Sequence, residues 1–586
     1  MTLGARLTPA TFDAAASGVF DSLDLHVADM VVRRAQIDDP TFAVAVALAA
    51  KAVRLEHVCV DVDVDGIALL WTGDGPAVGV PPAPASLLQA LVAADGAVEV
   101  VGDGMPVAES GGAPLVLSGT RCYLRRYALL EQLVAERLRN DASLSMPEGT
   151  EAALGALGAS ADPSQLDAVR RALSSSVSVI AGGPGTGKTT TIALLLRVAC
   201  ALDPPLVVAL ATPTGKAAAR LDQAVRAAAG DDPSIPQAQT IHRLLGIGRD
   251  GVSRGRRRLD ADVVVVDEAS MVSLPLLAET FRRTRPESRV VLVGDPDQLA
   301  SIEVGAVLSD VVDAAGPDSG VVVSTLDTAH RFVDAAGVAA LADAVRSGRV
   351  ADVVAAFAAK PDELSLVAPD ARRDAILERV VSHAVAVIDA ARAGDAPLAL
   401  TLVSSLGVLC ATRRGDGSTD WWRRAIERLL VDRGVLRRRD LDYVGRPLLV
   451  TRNDPLTGLT NGSVGVVVAD RDGRTAVFDT GSFPVGAVAA AETVWALTIH
   501  KSQGSEYDEV VVSLPGPESP VLTRELVYTA VTRSRRAVTV LAPAGSLEAA
   551  LSRRVARSSG LAERLGARSS SSRAPDEPSP PRLFEP

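Results

Sequence analysis

Nine residues constrain this chain more than any others: Gly182 to Thr190, reading GGPGTGKTT. They follow the apolar run Val177–Ile180 and precede a run of helical character, Ile192–Leu196. A strand that feeds a glycine loop and then a helix is the context a phosphate-binding loop requires. The spacing Gly182, four residues, Gly187, Lys188, Thr189 fits the Walker A pattern. Glycines let successive backbone N–H groups turn inward around a polyphosphate, and the N-terminus of the following helix adds a favourable dipole. Gly182, Gly183, Pro184, Gly185, Thr186, Gly187, Lys188, Thr189 and Thr190 are therefore the expected nucleotide cradle. Lys188 is placed to reach the β- and γ-phosphates, and the Thr189 hydroxyl to ligate Mg²⁺. The expected ligands are ATP and Mg²⁺.

From Asp162 to about Arg331 further apolar runs alternate with helical ones: Leu206–Leu210, Val263–Val266 and Val290–Val293. Continuous Val/Leu runs of this kind predict a buried parallel sheet in an α/β fold. Residues just past such strands lie where open α/β sheets bind ligands. In VVVVDEAS, Asp267 and Glu268 hold that position, as metal ligand and as the group that orients water. In VVLVGDPDQ, Gln298 is placed to sense the γ-phosphate. ATPTGKAAARL puts Thr214 and Lys216 at a helix start suited to gripping backbone phosphate. His242 comes shortly after, and ordinary helix capping accounts equally well for these residues. A second α/β pattern begins after about residue 333, with Leu398–Val403, Glu509–Val512 and Ala537–Leu541 as its strands. Short strands and Gly/Asn/Asp turns from Gly445 to Ala490 interrupt it and predict a small inserted β module. WALTIHKSQGSEYDEVV then carries Thr498, His500, Gly504 and Glu506. VYTAVTRSRR offers Arg533 as an arginine finger supplied from the second core, with Arg331 of AHRF as another candidate.

The net charge of −11 argues against a uniformly basic surface but leaves room for a local basic groove. Only five of the 60 basic residues are Lys, and Lys188, Lys216 and Lys501 all fall inside motifs. A compact ammonium in a tight phosphate loop is not replaceable by a guanidinium. Four scattered cysteines without a CxxC pair predict neither a disulfide framework nor a metal cluster. The N-terminus lacks the apolar segment of a signal peptide, and no run is apolar enough to span a membrane. A cytoplasmic protein is expected. Ser569–Pro586 is Ser/Pro-rich and predicted to be disordered.

Taken in order, Gln165, GGPGTGKTT, TPTGKAAARL, TIHRL, DEAS, GDPDQLASIEVGAVL, AHRF, TIHKSQGSEYDE and YTAVTRSRR resemble superfamily 1 DNA helicases. GDPDQLASIEVGAVL and TRNDPLTGLTNGSVGVV (Thr451–Val467) are most similar to the RecD family, the alpha subunits of RecBCD helicase–nucleases (exonuclease V). The resemblance implies two RecA-like P-loop cores with parallel sheets, an inserted SH3-like β module and a mostly helical N-terminal domain. The implied boundaries are 1–115 for the partner-docking domain and 116–161 for a helix and linker. The first motor domain is 162–328, the second 329–444 and 494–566, the insert 445–493 and the tail 567–586. It implies that Gln165 reads adenine and Glu506 sits near the ribose. Gln298, Arg331 and Arg533 would sense the γ-phosphate, while Thr214, Lys216, His242, Asn453, Thr498 and His500 would line the single strand. It implies 5′-to-3′ travel, single-stranded DNA and duplex ends as substrates, and RecB-like and RecC-like partners. A standalone helicase of the same type, and an ATPase that mainly regulates a partner nuclease, are the alternative readings.

Overall fold

The computed structural model describes residues 7–566 except 16, 72–79, 104, 140–143, 231–234, 249–257, 302, 317–318, 327–335, 438–441, 455, 471–472 and 556. Arg331 and the tail 567–586 lie outside the described residues.

The N-terminal region is built around the helix Pro40–Arg54, whose residues Phe42 to Ala52 are all buried. A helix apolar on every face must be covered on every face, and Ser22–Ala35 packs along it. Asp39 starts the helix by accepting the N–H groups of Thr41 and Phe42, with Pro40 in the first turn. The strands β1 (Val60–Asp61), β2 (Val98–Val101), β3 (Leu115–Ser118) and β4 (Arg121–Leu124) add a sheet in the order β1-β4-β3-β2. The helix Arg125–Arg139 then packs against Leu274–Arg283 of the first core.

That core holds β5 (Val177–Gly182), β6 (Val208–Thr212), β7 (Gln239–Thr240), β8 (Val263–Val266), β9 (Arg289–Gly294) and β10 (Val322–Leu326). Their order is β10-β5-β9-β8-β6-β7, and all neighbours are parallel. The four valines of β8 are at most 1% exposed. Each contributes roughly 1.5–3 kcal/mol by its burial, which is why this strand tolerates no polar residue until its C-terminal end.

The second core begins with β11 (Leu364–Val367) and β12 (Leu406–Cys410). An antiparallel sheet comes next, made of β13 (Pro447–Leu449), β14 (Val464–Asp470), β15 (Gly473–Phe478), β16 (Gly481–Pro484) and β17 (Glu492–Thr493), in the order β16-β15-β14-β13-β17. The core is completed by β18 (Leu497–Thr498), β19 (Tyr507–Ser513) and β20 (Ser534–Leu541), giving a parallel sheet β11-β20-β19-β12-β18.

One strand is misplaced by the sequence. Leu398–Val403 lies in the helix Ala396–Ser405, and the strand starts at Leu406. Asp395 accepts the N–H of Leu398 and Pro397 occupies the first turn, so the segment starts as a helix. A short apolar run does not by its periodicity distinguish a packed helix from a buried strand.

The end of the described chain leaves the second core. Arg557 donates to the carbonyls of Glu303 and Gly305 at 3.2 and 3.0 Å. The Ser558 N–H donates to Nδ1 of His57 at 3.0 Å, and Arg564 pairs with the fully buried Glu131 at 3.1 Å. Residues 557–564 thus tie the first core to the N-terminal region. Among the described residues, no helix is long and apolar enough to cross a membrane.

Candidate nucleotide site between two cores

The glycine loop connects β5 to the helix Lys188–Ala201. Gly185 and Gly187 have φ of 80° and 87°, a left-handed backbone that a side chain would strain. Gly183 is limited differently: an added Cβ would sit 3.2 Å from the Tyr528 hydroxyl of the second core. The Lys188 ammonium folds back onto the carbonyls of Gly182 and Gly183 at 2.6 and 2.8 Å.

A cavity of about 500 Å³ opens at this loop. Pro184, Gly185, Gly187, Lys188, Thr189 and Thr190 line it, together with Gln165, Asp267, Glu268, Gln298, Glu506 and Arg533. Gly182, Gly183 and Thr186 lie on the far side of the loop, where a separate cavity of about 580 Å³ begins. Gln165 is buried and locked in a reciprocal cap with Asp162, so its side chain is oriented by the first turn of its own helix. Gly504 has φ of 72°.

Asp267 is half-buried, and loss of solvation raises its carboxyl to about 7, with the Glu268 charge adding to the rise. Glu268 itself has φ of 54°, a left-handed conformation rare for a side-chain-bearing residue. Such a backbone costs on the order of 1–3 kcal/mol and persists only where the surroundings enforce it. Nothing in the residues VVVVDEAS signals this strain.

Arg533 is 4% exposed and, among the described residues, is held by neutral acceptors. It donates to the carbonyls of Thr529 at 3.1 Å and Ser505 at 3.5 Å, to Oε1 of Gln298 at 3.0 Å and to the Thr532 hydroxyl at 3.4 Å. Burial lowers the pKa of this guanidinium, while Glu268 and Glu506 oppose the shift from a distance. A buried cation without a contacting anion is costly; an anion arriving in the cavity offsets that cost.

Gln298 bridges onward. Its Nε2 donates to Asp295 at 2.9 Å, and the Tyr528 hydroxyl donates to the same carboxylate at 3.2 Å. The Leu299 N–H donates to Thr529 at 2.9 Å, and Gln503 donates to the Leu299 carbonyl at 2.9 Å. The segment after β9 is therefore stitched to the second core along its length. Asp295, Tyr528, Thr529, Ser505 and Arg220 are site residues that sequence reasoning does not single out. Arg220 carries a usable signal: it lies four residues after Lys216 on one helix, and it ion-pairs with Glu506 across the seam.

The residues expected along a nucleic acid are not all gathered in one place. Thr498 and His500 line a third cavity of about 440 Å³ with Leu299, Ser301, Arg413 and Arg557. Burial lowers the His500 pKa, and Arg557 and Arg413 lower it further. Thr214 caps its helix by accepting the Ala217 N–H. Lys216 is half-buried and donates to Ser505 at 2.6 Å. Burial brings its pKa down to about 8. The β13–β14 connection approaches this helix start: a Cβ on Gly215 would strike Thr460, and one on Gly462 would contact Lys216. Asn453, in that connection, is exposed and accepts the Asn461 N–H at 2.7 Å. His242 is exposed on its short helix.

A glycine loop, two acids after a buried strand and a buried arginine from a second parallel-sheet core define a two-core P-loop NTPase. Three family models match the chain: an AAA domain over 160–364, a UvrD-like helicase C-terminal domain over 493–541 and the N-terminal domain of RecBCD enzyme subunit RecD over 16–123. RecBCD enzyme subunit RecD of Mycolicibacterium smegmatis is 41% identical over 571 residues, covering 93% of this chain and 98% of that protein. The Mycobacterium tuberculosis H37Rv subunit is 38% identical, covering 94% and 95%. That of Haemophilus influenzae is 32% identical, covering 68% and 71%. The chain belongs to the RecD family.

Proposed function

We propose that the chain is the ATP-driven DNA helicase subunit of a RecBCD-type helicase–nuclease, acting with RecB-like and RecC-like partners in double-strand break repair and recombination. The observation that carries this reading is the junction of Arg533, Gln298 and Asp295, where the second core's arginine meets the segment after β9 in the cavity that the glycine loop lines. The match of the N-terminal region to the RecD N-terminal model favours a subunit over a standalone helicase. The sheet β13–β17 is read as the SH3-like insert, and travel as 5′ to 3′.

In this reading Lys188 leaves the loop carbonyls for the β- and γ-phosphates, while Gln165 reads the adenine and Glu506 sits near the ribose. Glu268 orients the attacking water, and Arg533 with Gln298 stabilises the charge that develops on the γ-phosphoryl group. Thr189 and Asp267 would hold Mg²⁺. The fit is chemical: a hydroxyl and a carboxyl lining one cavity are a hard-oxygen donor set. When bound, Mg²⁺ neutralises phosphate charge. Arg331 is kept as a further γ-phosphate contact. Because β18 and the segment after β9 both join the nucleotide seam to the Thr498/His500 cavity, closure at one alters the grip at the other. Thr214, Lys216, His242 and Asn453 form the first core's side of the strand track.

The test is Lys188→Gln in the assembled complex. Loss of single-strand-stimulated ATPase and of strand displacement is expected. Full hydrolysis by that variant overturns the assignment. Displacement that persists without Lys188 favours the reading in which this chain only regulates a partner nuclease.

A further inference from the structure

The outer face of the second core carries a groove that belongs neither to the nucleotide seam nor to the Thr498/His500 cavity. It runs between the helices Pro369–Arg392 and Thr419–Asp432 and encloses about 1010 Å³. Trp421, Arg424, Ala425, Arg428 and Leu429 line it from the second helix, at the spacing of one helical stripe. Arg414 closes one end from the loop after β12. Arg414, Arg424 and Arg428 make no hydrogen bond or ion pair among the described residues. Their neighbours behave otherwise. Arg423 pairs with Glu427 at 3.1 Å, and Arg373 pairs with Asp416 while lying 5.0 Å from the Trp421 ring.

Three acids also face the groove: Asp374, Glu378 and Asp420. Glu378 is already neutralised by Arg433, and Asp420 occupies the first turn of its helix, where the dipole accommodates it. Asp374 is then the one acid left to set against three arginines, so the groove keeps a net positive charge in a chain whose net charge is −11. Guanidinium groups beside an indole are the pairing that binds phosphates and an unstacked base without regard to sequence. The position is equally specific. Arg413 lines the Thr498/His500 cavity, and the next residue, Arg414, lines this groove.

We propose that the groove of Trp421, Arg414, Arg424 and Arg428 is a second binding site for single-stranded DNA, continuous through Arg413 with the strand track between the cores. The inference rests on the helicase reading, because it extends that track. It makes the footprint of the chain on a single strand longer than the inter-core track alone.

The experiment compares oligonucleotides of about 6 and about 20 nucleotides, binding to the full chain in its complex. The triple variant Arg414→Ala, Arg424→Ala, Arg428→Ala is measured beside the wild type. The expected result is a roughly tenfold loss of affinity for the long oligonucleotide only, with a salt slope reduced by about two. Affinity for the short oligonucleotide and its stimulation of ATPase stay unchanged. Unchanged affinity for both lengths overturns the proposal, as does an equal loss for both. A variant that binds DNA normally but no longer assembles with its partners overturns it too. A wild-type complex that fails to bind the short oligonucleotide sinks the helicase reading instead. Photocrosslinking of wild type with a long strand carrying 5-bromodeoxyuridine reads the same site without mutation. Crosslinks within Thr419–Asp432 are expected, and crosslinks confined to the inter-core segments overturn the proposal.

Discussion

The two cores share a parallel-sheet plan and differ in the segments that leave their strands. In the first, β5, β8 and β9 lead into a glycine loop, an acidic pair and a Gly-Asp turn, so the residues proposed to handle phosphate follow the C-terminal ends of interior strands. In the second, β12 leads into Ala411-Thr412-Arg413-Arg414 and β19 approaches the helix that ends beside Arg533. In the proposed reading the first core binds the nucleotide and the second supplies a cation. In that reading neither half is complete alone, an arrangement that would convert a bound phosphate into relative movement of the cores. The arginine waits among neutral acceptors, and desolvation together with the Glu268 charge pushes the Asp267 carboxyl in the same cavity well above the usual carboxylate range. Both groups are held in states that a triphosphate with its metal would improve.

The widest gap between the cores is expected at Arg533. Arg533→Ala should lower kcat for ATP by about 10³-fold while binding of a nucleotide analogue is retained. A variant within tenfold of wild type would make the second core dispensable and end the comparison. Asp267→Asn should reduce ATPase by about 10²-fold, yet raise the melting temperature of the nucleotide-free protein at pH 8 by a few degrees. The sign comes from the carboxyl at about 7, above its ordinary value. The folded state holds a proton that the unfolded chain has released, so this group lowers stability as pH rises from about 4 to 7. Thermal scans from pH 5 to 8 check it, and a melting temperature unchanged by the substitution refutes it.

Lys216 sharpens the contrast at the seam. With its folded pKa near 8, it should lose its charge between pH 7 and 9. Affinity for single-stranded DNA should fall several-fold over that range, and Lys216→Met should flatten the profile. An identical profile in both proteins assigns the dependence elsewhere. The smallest effect belongs to Tyr528→Phe, which removes one hydrogen bond to Asp295, worth about 0.5–1.5 kcal/mol. A few-fold drop in kcat with KM unchanged is expected. A change in KM alone would mean that the hydroxyl serves the shape of the glycine loop and not the coupling between cores.

Much of this is legible in the chain. Val263–Val266 and Val177–Ile180 announce buried parallel strands because only continuous apolar runs survive between two helical layers. Their C-terminal ends announce the site because glycine, lysine and acids after such strands have few other uses. Leu398–Val403 misleads because a helix packed on a sheet shows the same apolar run, and its start depends on the Asp395 cap. Asp295 and Tyr528 escape notice because each is an ordinary polar residue until the other lies 3.2 Å away.

The sequence by itself determined the chemistry: a phosphate loop, an acidic pair and a late arginine, because local backbone demands fix which residue types can stand at those positions. Only the tertiary structure decided which groups meet. Gln298 and Arg533 lie far apart in the chain, and Lys216 and Ser505 are separated even more widely. Contacts between distant segments depend on how two sheets pack across a seam, and no local propensity encodes that.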